Sequence, residues 1–348
     1  MATTAPPNPA PAPKRARRGS GAVTLHDVAR LAAVAPITAS RALNTPEQVS
    51  PEVRQRVTEA VAALGYVRNH QAGALASARS RLVAAVVPTL SGPVFGPMLQ
   101  ALTEALAERG YQLMLGQSGY VDSREDALLD AIIGRRPDGI VLTGVERSPE
   151  ARRLLLASGI PVVETWDLTP APLDLLVGFS HADVGHAVAQ FLVQRGRRQL
   201  AVVAGDDERS RRRERAFCQA AAEAGLPAVR VIRVPAPTTL KRGRQALCQL
   251  CESGPAVEAV FCSSDLLALG VLTEAQARGL AVPAALAVVG FGDQDFAADL
   301  NPALSSVRID GQAMGRQAAQ FVVDRAEGRD IPERVVDLGF SLIERGST

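Results

Sequence analysis

The sequence predicts a small all-α head joined to a larger α/β core of two Rossmann-like parallel-sheet subdomains. Three observations carry this expectation. Residues 24–64 hold three short stretches of helical periodicity with no strand-like run between them. From residue 81 onward, apolar runs of strand length alternate with amphipathic helical stretches. At 348 residues the chain exceeds one ordinary domain and has room for two or three.

Residues 1–22 contain five prolines and little apolar content beyond alanine, so disorder is expected. In the head, Thr24 can cap a first helix over 25–32, with Asp27 favourable to the helix dipole. A tight turn leads to a second helix over 36–43. Pro36 at its first position needs no N–H partner and arrives with helical φ. Ser50, Pro51 and Glu52 then open a third helix: a capping hydroxyl, a proline at the first helical position and an early acid. Val53, Val57, Ala60, Val61 and Leu64 repeat at helical spacing until Gly65 stops the helix.

In the core, strands are expected at 82–87, 112–115, 139–142, 161–163, 175–177, 200–203, 229–232, 259–262, 287–289 and 340–343. Helices are expected at 95–109, 124–134, 149–157, 182–195, 211–224, 240–251, 265–278 and 311–327. Near-continuous apolar strands alternating with helices mean parallel sheets covered on both faces. A ligand would sit between two such subdomains, outside the carboxyl ends of the strands.

Charge is divided unevenly. Residues 1–80 hold ten Lys/Arg against four Asp/Glu, a net +6, and the rest holds 28 against 32, a net −4. A basic head on a mildly acidic body suits an anionic polymer bound at one end. Lys14, Arg15, Arg17 and Arg18 add to the basic end, although such a tail proves nothing alone. No apolar stretch follows this basic cluster as in a secretory signal, and no apolar run approaches a membrane span. A cytoplasmic, nucleoid-associated protein is expected. Cys218, Cys248, Cys251 and Cys262 fall in predicted helices or buried strands and read as small core residues. The Cys248/Cys251 pair lacks companion ligands for zinc, and His26, His70, His181 and His186 are scattered. No metal, no cofactor and no catalytic constellation is therefore expected, and the chain does not read as an enzyme.

The stretches "VTLHDVARLAAVAPITASRALN" and "VSPEVRQRVTEAVAALGYVRNHQAGALA" resemble the head of the LacI/GalR family of bacterial transcription repressors. "PVVETWD", "CSSDLLALGV" and "VVGFGDQDF" are similar to segments of that family's periplasmic-binding-protein-like body. "VPTLSGPVFGPML", "GYQLMLGQSGY" and "VDLGFSL" look most like its gluconate (GntR-type) and 2-ketogluconate-responsive branch. The resemblance implies a disordered tail at 1–22, a helix-turn-helix domain at 23–68, a hinge helix and linker at 69–80, and an effector-binding and dimerisation domain at 81–348.

It also implies roles for residues. Pro36, Ile37 and Arg41 take base-facing positions, and Arg41 can fork onto guanine O6 and N7. Ile37 can meet a thymine methyl, and Pro36 offers only shape. Thr38, Ser40, Asn44, Ser50 and Tyr66 fall where the family touches phosphates, and Thr24 joins this DNA-facing set. Ser40 could equally bond within its own helix. Asn69, Ala72, Leu75 and Ala76 match the hinge helix, with Leu75 as the wedge that enters the minor groove; an ordinary linker residue is the plainer alternative for Leu75. Ala35 stands where the family has a capping Ser or Thr, a loss of about 1 kcal/mol.

For the effector, the resemblance implies Asp265 and Arg211, with Arg209 or Arg213 as alternatives in the same run. Asp265 could instead cap the helix that follows. Phe95, Trp166 and Phe291 are candidate apolar walls, and Asp167 and Asp293 are further polar candidates. Gly292 stands where many members have an acid, which suits an anionic ligand. The expected effector is a sugar acid such as gluconate or 2-ketogluconate, and the expected DNA partner is a palindromic operator. A homodimer is expected rather than a tetramer, because no heptad-bearing segment follows 340–343. A sugar receptor without a DNA role would share the body but not the head. A sugar-acid enzyme would need a nucleophile and base that the sequence does not present.

Overall fold

A head of three helices forms because each apolar stripe buries against the other two. The computed structural model describes residues 23–67, 79–120 and 122–348. The tail at 1–22 and the hinge positions Asn69, Ala72, Leu75 and Ala76 lie outside the described residues. The chain divides into two units, Met1–Ala78 and Arg79–Thr348.

In the first unit, α1 spans Leu25–Leu31, α2 Pro36–Asn44 and α3 Pro51–Leu64. Thr24 and Asp27 form a reciprocal capping box: the Thr24 hydroxyl accepts from the Asp27 amide, and the Asp27 carboxylate accepts from the Thr24 amide at 3.0 Å. Val28, Ala29, Ala39, Ala42, Val57 and Ala60 make the buried centre. Ala35 supplies no side-chain cap to α2, so Pro36 alone pre-sets its first turn. The turn between α1 and α2 passes through Ala33 at φ +51°, a left-handed conformation that its Cβ disfavours.

The second unit contains two six-stranded sheets. The first joins β1 (Leu82–Val87), β2 (Gln112–Gln117), β3 (Gly139–Thr143), β4 (Val162–Thr165), β5 (Leu175–Gly178) and β11 (Val335–Asp337) in the order β11-β5-β4-β3-β1-β2, all parallel. The second joins β6 (Leu200–Gly205), β7 (Arg230–Val234), β8 (Ala259–Cys262), β9 (Ala287–Phe291), β10 (Ser305–Arg308) and β12 (Ser341–Ile343) in the order β12-β10-β9-β8-β6-β7. Only its edge pair, β10 with β12, is antiparallel.

Helices cover both faces of each sheet, which is why the central strands β1, β5, β6, β8 and β9 are apolar. On the first sheet, α4 (Gly96–Glu108) and α11 (Gly311–Ala326) take one face, and α5 (Asp122–Ile133) and α6 (Pro149–Ser158) the other. On the second, α7 (His181–Gln194) and α8 (Glu208–Glu223) oppose α9 (Leu240–Glu252) and α10 (Asp265–Ala277). The chain passes between the subdomains three times, after β5, after β10 and after β11.

Three features depart from the expected reading. β10 and β11 were absent from it, since one starts with two serines and the other has three residues. α8 starts at Glu208 rather than at 211, because Asp207 caps it by accepting from the Ser210 amide at 3.1 Å. Cys262 is buried as expected, but Cys251 is exposed on the last turn of α9.

The strained turn gives a direct test. Ala33→Gly is expected to stabilise the head by about 1 kcal/mol, since glycine meets no Cβ penalty at positive φ. Calorimetry of the full chain should move the head's transition upward. A lower midpoint would contradict the left-handed turn.

Candidate functional site

In each sheet the strand order reverses at one place: between β1 and β3 in the first, and between β6 and β8 in the second. The loops leaving such a pair part company and open a crevice at their carboxyl ends. The two crevices form one cleft with an inner and an outer part. The inner part, about 90 Å³, is walled by Phe95, Trp166 and Phe291. The outer part, about 390 Å³, is lined by loops following β1, β2, β3, β4 and β6. Tyr120, Asp207 and Arg209 border both.

The aromatic wall is a packed unit. The Phe95 and Trp166 rings meet edge to face at 5.1 Å, and Trp166 meets Phe179 at 6.1 Å. The Trp166 indole N–H points to the Met98 sulfur at 2.9 Å. Its backbone is left-handed, at φ +67°, and its carbonyl accepts from His181 Nε2 at 2.9 Å. Because Nε2 carries the proton, Nδ1 is free to accept from Arg213 Nη1 at 2.8 Å. Burial first, and then the Arg213 charge, push the His181 pKa well below its ordinary value, so the ring is neutral.

Arg213 is buried. Beyond His181 it donates to the Ser210 hydroxyl and the Ser263 carbonyl, each at 3.2 Å, and it lies over the Phe291 ring at 3.9 Å. Burial lowers its pKa to about 10, which leaves it charged at neutral pH. Its Nε has no hydrogen-bond partner among the described residues, and neither has Arg209 Nη1. Arg209 leans over Phe95, 5.6 Å from the ring centre. These two guanidinium groups, four residues apart on α8, both line the inner cleft.

Arg211 is placed differently from its expected role. It stands at the outer rim, half exposed, bonded to Asp206 at 2.6 Å. The helix starts three residues earlier than expected, so its inward face carries positions 209 and 213. Asp265 also lies outside the cleft lining. Its carboxylate accepts from the Ser306 hydroxyl at 2.6 Å and the Gln294 amide at 2.7 Å, so it ties the loop after β9 to β10. The capping atom of α10 is the Ser264 hydroxyl. Asp293 turns away to Arg308 and Arg345, each at 2.6 Å. Asp167 does line the outer cleft, but Arg212 occupies it at 3.0 Å. His181 and Ser263 were missed by sequence reasoning, since neither carries a local signal.

The exposed face of α2 presents Pro36, Ile37 and Arg41. Ile37 is 62% exposed, unusual for its type. The Arg41 carbonyl accepts from the Thr45 amide at 2.8 Å, and its side chain is exposed. Ser40 accepts from the Asn44 side chain at 3.0 Å, and Ser50 caps α3 by accepting from the Val53 amide. Thr38 and Tyr66 are half-buried, Tyr66 against the head's core. Among the described residues no cluster of His, Cys, Asp and Glu is arranged to hold a metal ion, and no helix is long and apolar enough to cross a membrane.

A helix-turn-helix head and a two-lobed core with a ligand-sized cleft define a DNA-binding regulator that answers to a small molecule. Comparison with known proteins gives the family. Residues 24–69 match the bacterial regulatory proteins of the lacI family, and residues 189–348 match the periplasmic binding protein-like domain. The chain belongs to the lacI family of bacterial regulatory proteins. It is 40% identical to the HTH-type transcriptional regulator GntR of Pseudomonas aeruginosa, over 95% of this chain and 97% of that one. It is 32% identical to the GntR regulator of Escherichia coli K12, over 93% and 98%. A crystal structure of a LacI-family transcriptional regulator from Silicibacter pomeroyi superposes with a TM-score of 0.87 at 30% identity, covering 93% of this chain and 99% of that one. The protein is therefore a DNA-binding transcriptional repressor and not an enzyme. Repressors of this family bind operator DNA and small-molecule effectors and act as dimers.

The Asp265 environment predicts a pH dependence. Burial raises its pKa to about 6, against the bonds from Ser306 and Gln294 that lower it. The folded protein thus binds this proton more tightly than the unfolded chain. The group's contribution to stability is fully present below about pH 4 and is lost as pH rises through about 6. Asp265→Asn lacks this titration. The stability of the unaltered protein relative to Asp265→Asn should therefore decline between pH 4 and pH 7 in urea unfolding. A difference that grows with pH would contradict the buried placement.

Proposed function

We propose that the protein represses genes of sugar-acid catabolism, and that a sugar acid of the gluconate or 2-ketogluconate class controls its hold on a palindromic operator. One observation carries this reading. Arg209 Nη1 and Arg213 Nε are buried donors without hydrogen-bond partners among the described residues, and both residues border a cleft with an aromatic wall. A buried cationic donor left unmatched is costly, and a carboxylate is the group that best satisfies it. Phe95, Trp166 and Phe291 offer faces for the apolar side of a carbon chain. The outer cleft leaves space for its hydroxyls. The two GntR relatives support the same branch of the family.

In this reading Arg209 is the principal anchor for the carboxylate and Arg213 its second, while Arg211 stays at the rim. Asp265 and Asp293 act by holding the loops behind the cleft. The effector shifts the operator equilibrium by its preference for one arrangement of the core. Two protomers present two heads to the two halves of the operator.

A ligand that binds only the folded state stabilises it by RT ln(1 + [L]/Kd), about 2.7 kcal/mol at a hundredfold excess over Kd. Gluconate or 2-ketogluconate is expected to raise the core's thermal midpoint, while neutral hexoses leave it unchanged. Arg209→Gln should abolish most of that shift. A shift with neutral sugars alone would discard the sugar acid. Undiminished gluconate binding by Arg209→Gln would discard the anchor.

On the DNA side, Arg41 reads a guanine by two hydrogen bonds and Ile37 packs on a thymine methyl, while Pro36 excludes by shape. Thr24, Thr38, Ser40, Asn44, Ser50 and Tyr66 lie on the phosphate side of the head. Selection from random duplexes should give Arg41→Met a relaxed preference at one base pair per half-site, worth about 1–3 kcal/mol. A strong G·C requirement opposite residues 36 and 37 would refute the apolar reading.

A further inference from the structure

Arg212, on α8 one residue before the buried Arg213, reaches two acids that line the outer cleft. Its Nη1 donates to both carboxylate oxygens of Asp167, at 3.2 and 3.0 Å, and its Nη2 donates to Glu146. Its Nε lies 3.8 Å from Glu208 on its own helix. Asp167 follows β4 and Glu146 follows β3, so both acids belong to the first subdomain. α8 belongs to the second. The bridge therefore joins the two walls of the cleft, and every partner in it is protein.

Its burial matters. The Asp167 side chain is 5% exposed, and Arg212 is about a quarter exposed. A fully exposed pair would contribute little. Here, parting the subdomains would break the pair while Asp167 still keeps its bond to the Leu168 amide at 2.8 Å. Removing one member from a buried pair leaves the other uncompensated.

We propose that Arg212, Asp167 and Glu146 form a latch that holds the two subdomains together before any effector arrives, and that Asp167 serves this latch rather than the effector. Arg212 and Asp167 are positioning residues. They set the fraction of molecules whose cleft is assembled, and the apparent Kd of a ligand equals its intrinsic Kd divided by that fraction. The effector then acts on a core already partly closed. The regulatory consequence rests on the reading of the cleft as the effector site; the latch itself does not.

The test compares the full-length protein with Arg212→Met, Asp167→Asn, the double variant and Arg212→Lys. Circular dichroism would first establish that each is folded. Small-angle scattering without ligand reads closure, and calorimetric titration with sodium gluconate reads affinity. Each single variant is expected to expand in scattering and to bind gluconate about three- to tenfold more weakly. The double variant should be no worse than either single one, because both remove the same bridge. Arg212→Lys, which keeps a charge but not the fork, should fall between Arg212→Met and the unaltered protein. Scattering that is unchanged in all variants would overturn the latch. So would an Asp167→Asn loss far larger than that of Arg212→Met, since it would make Asp167 a ligand contact. If gluconate fails to bind the unaltered protein, the sugar-acid reading falls. Scattering alone then decides the latch.

Discussion

The buried guanidinium of Arg213 is the constraint on which the cleft depends. A charge in a protein interior must be matched by donors and acceptors placed for it. Here the match comes from the second subdomain, and one of its members, His181, reaches the first. His181 Nδ1, the Ser210 hydroxyl and the Ser263 carbonyl accept its hydrogen bonds, and Phe291 lies beneath it. His181 in turn holds the carbonyl of Trp166, whose backbone is left-handed. One network thus joins Trp166 of the first subdomain to α8 of the second. The same helix is seated by a close approach to α7, where a Cβ on Gly185 would lie 2.2 Å from the Arg213 carbonyl oxygen. With position 213 held in place, helical geometry sends 209 inward one turn earlier and sends 212 toward Asp167 and Glu146.

The head obeys a separate economy. Its recognition helix has lost the side-chain cap, and the turn before it holds a non-glycine residue at positive φ. Both features cost stability in a unit with a core of alanines and valines. Compensation is visible in the capping box of α1, the proline at the start of α2 and the Ser50 cap of α3. Ile37 and Arg41 remain exposed on α2.

Much of the fold was legible because its signals are local. Strand-length apolar runs alternating with helical stretches gave the parallel sheets, and Ser50, Pro51 and Gly65 marked the ends of α3 within a residue. β10 and β11 escaped because each is a short strand at or next to a sheet edge whose residues make sense only beside their partners. Ser305 and Ser306 are buried in β10 through bonds to Ser347 and Asp265, far away in the chain. The aromatic wall was also legible, since Phe95, Trp166 and Phe291 are few and large. The inward arginine was legible only as a choice among 209, 211 and 213. A run of arginines looks like a solvated face, and which of them turns inward depends on where Asp207 starts the helix.

The sequence by itself determined the two kinds of unit, the order of their elements and the family to which the chain belongs, because capping, periodicity and turn chemistry act over a few residues. Only the tertiary structure decided which charges meet. Asp265, Asp293 and Asp167 are all acids near the ends of strands or helices, and nothing in their neighbours along the chain distinguishes them. Packing gave the first to Ser306 and Gln294, the second to Arg308 and Arg345, and the third to Arg212. It left Arg209 Nη1 buried without a hydrogen-bond partner among the described residues. An ion pair or an orphaned donor is a property of distances between segments far apart in sequence, and such distances exist only once the chain has folded.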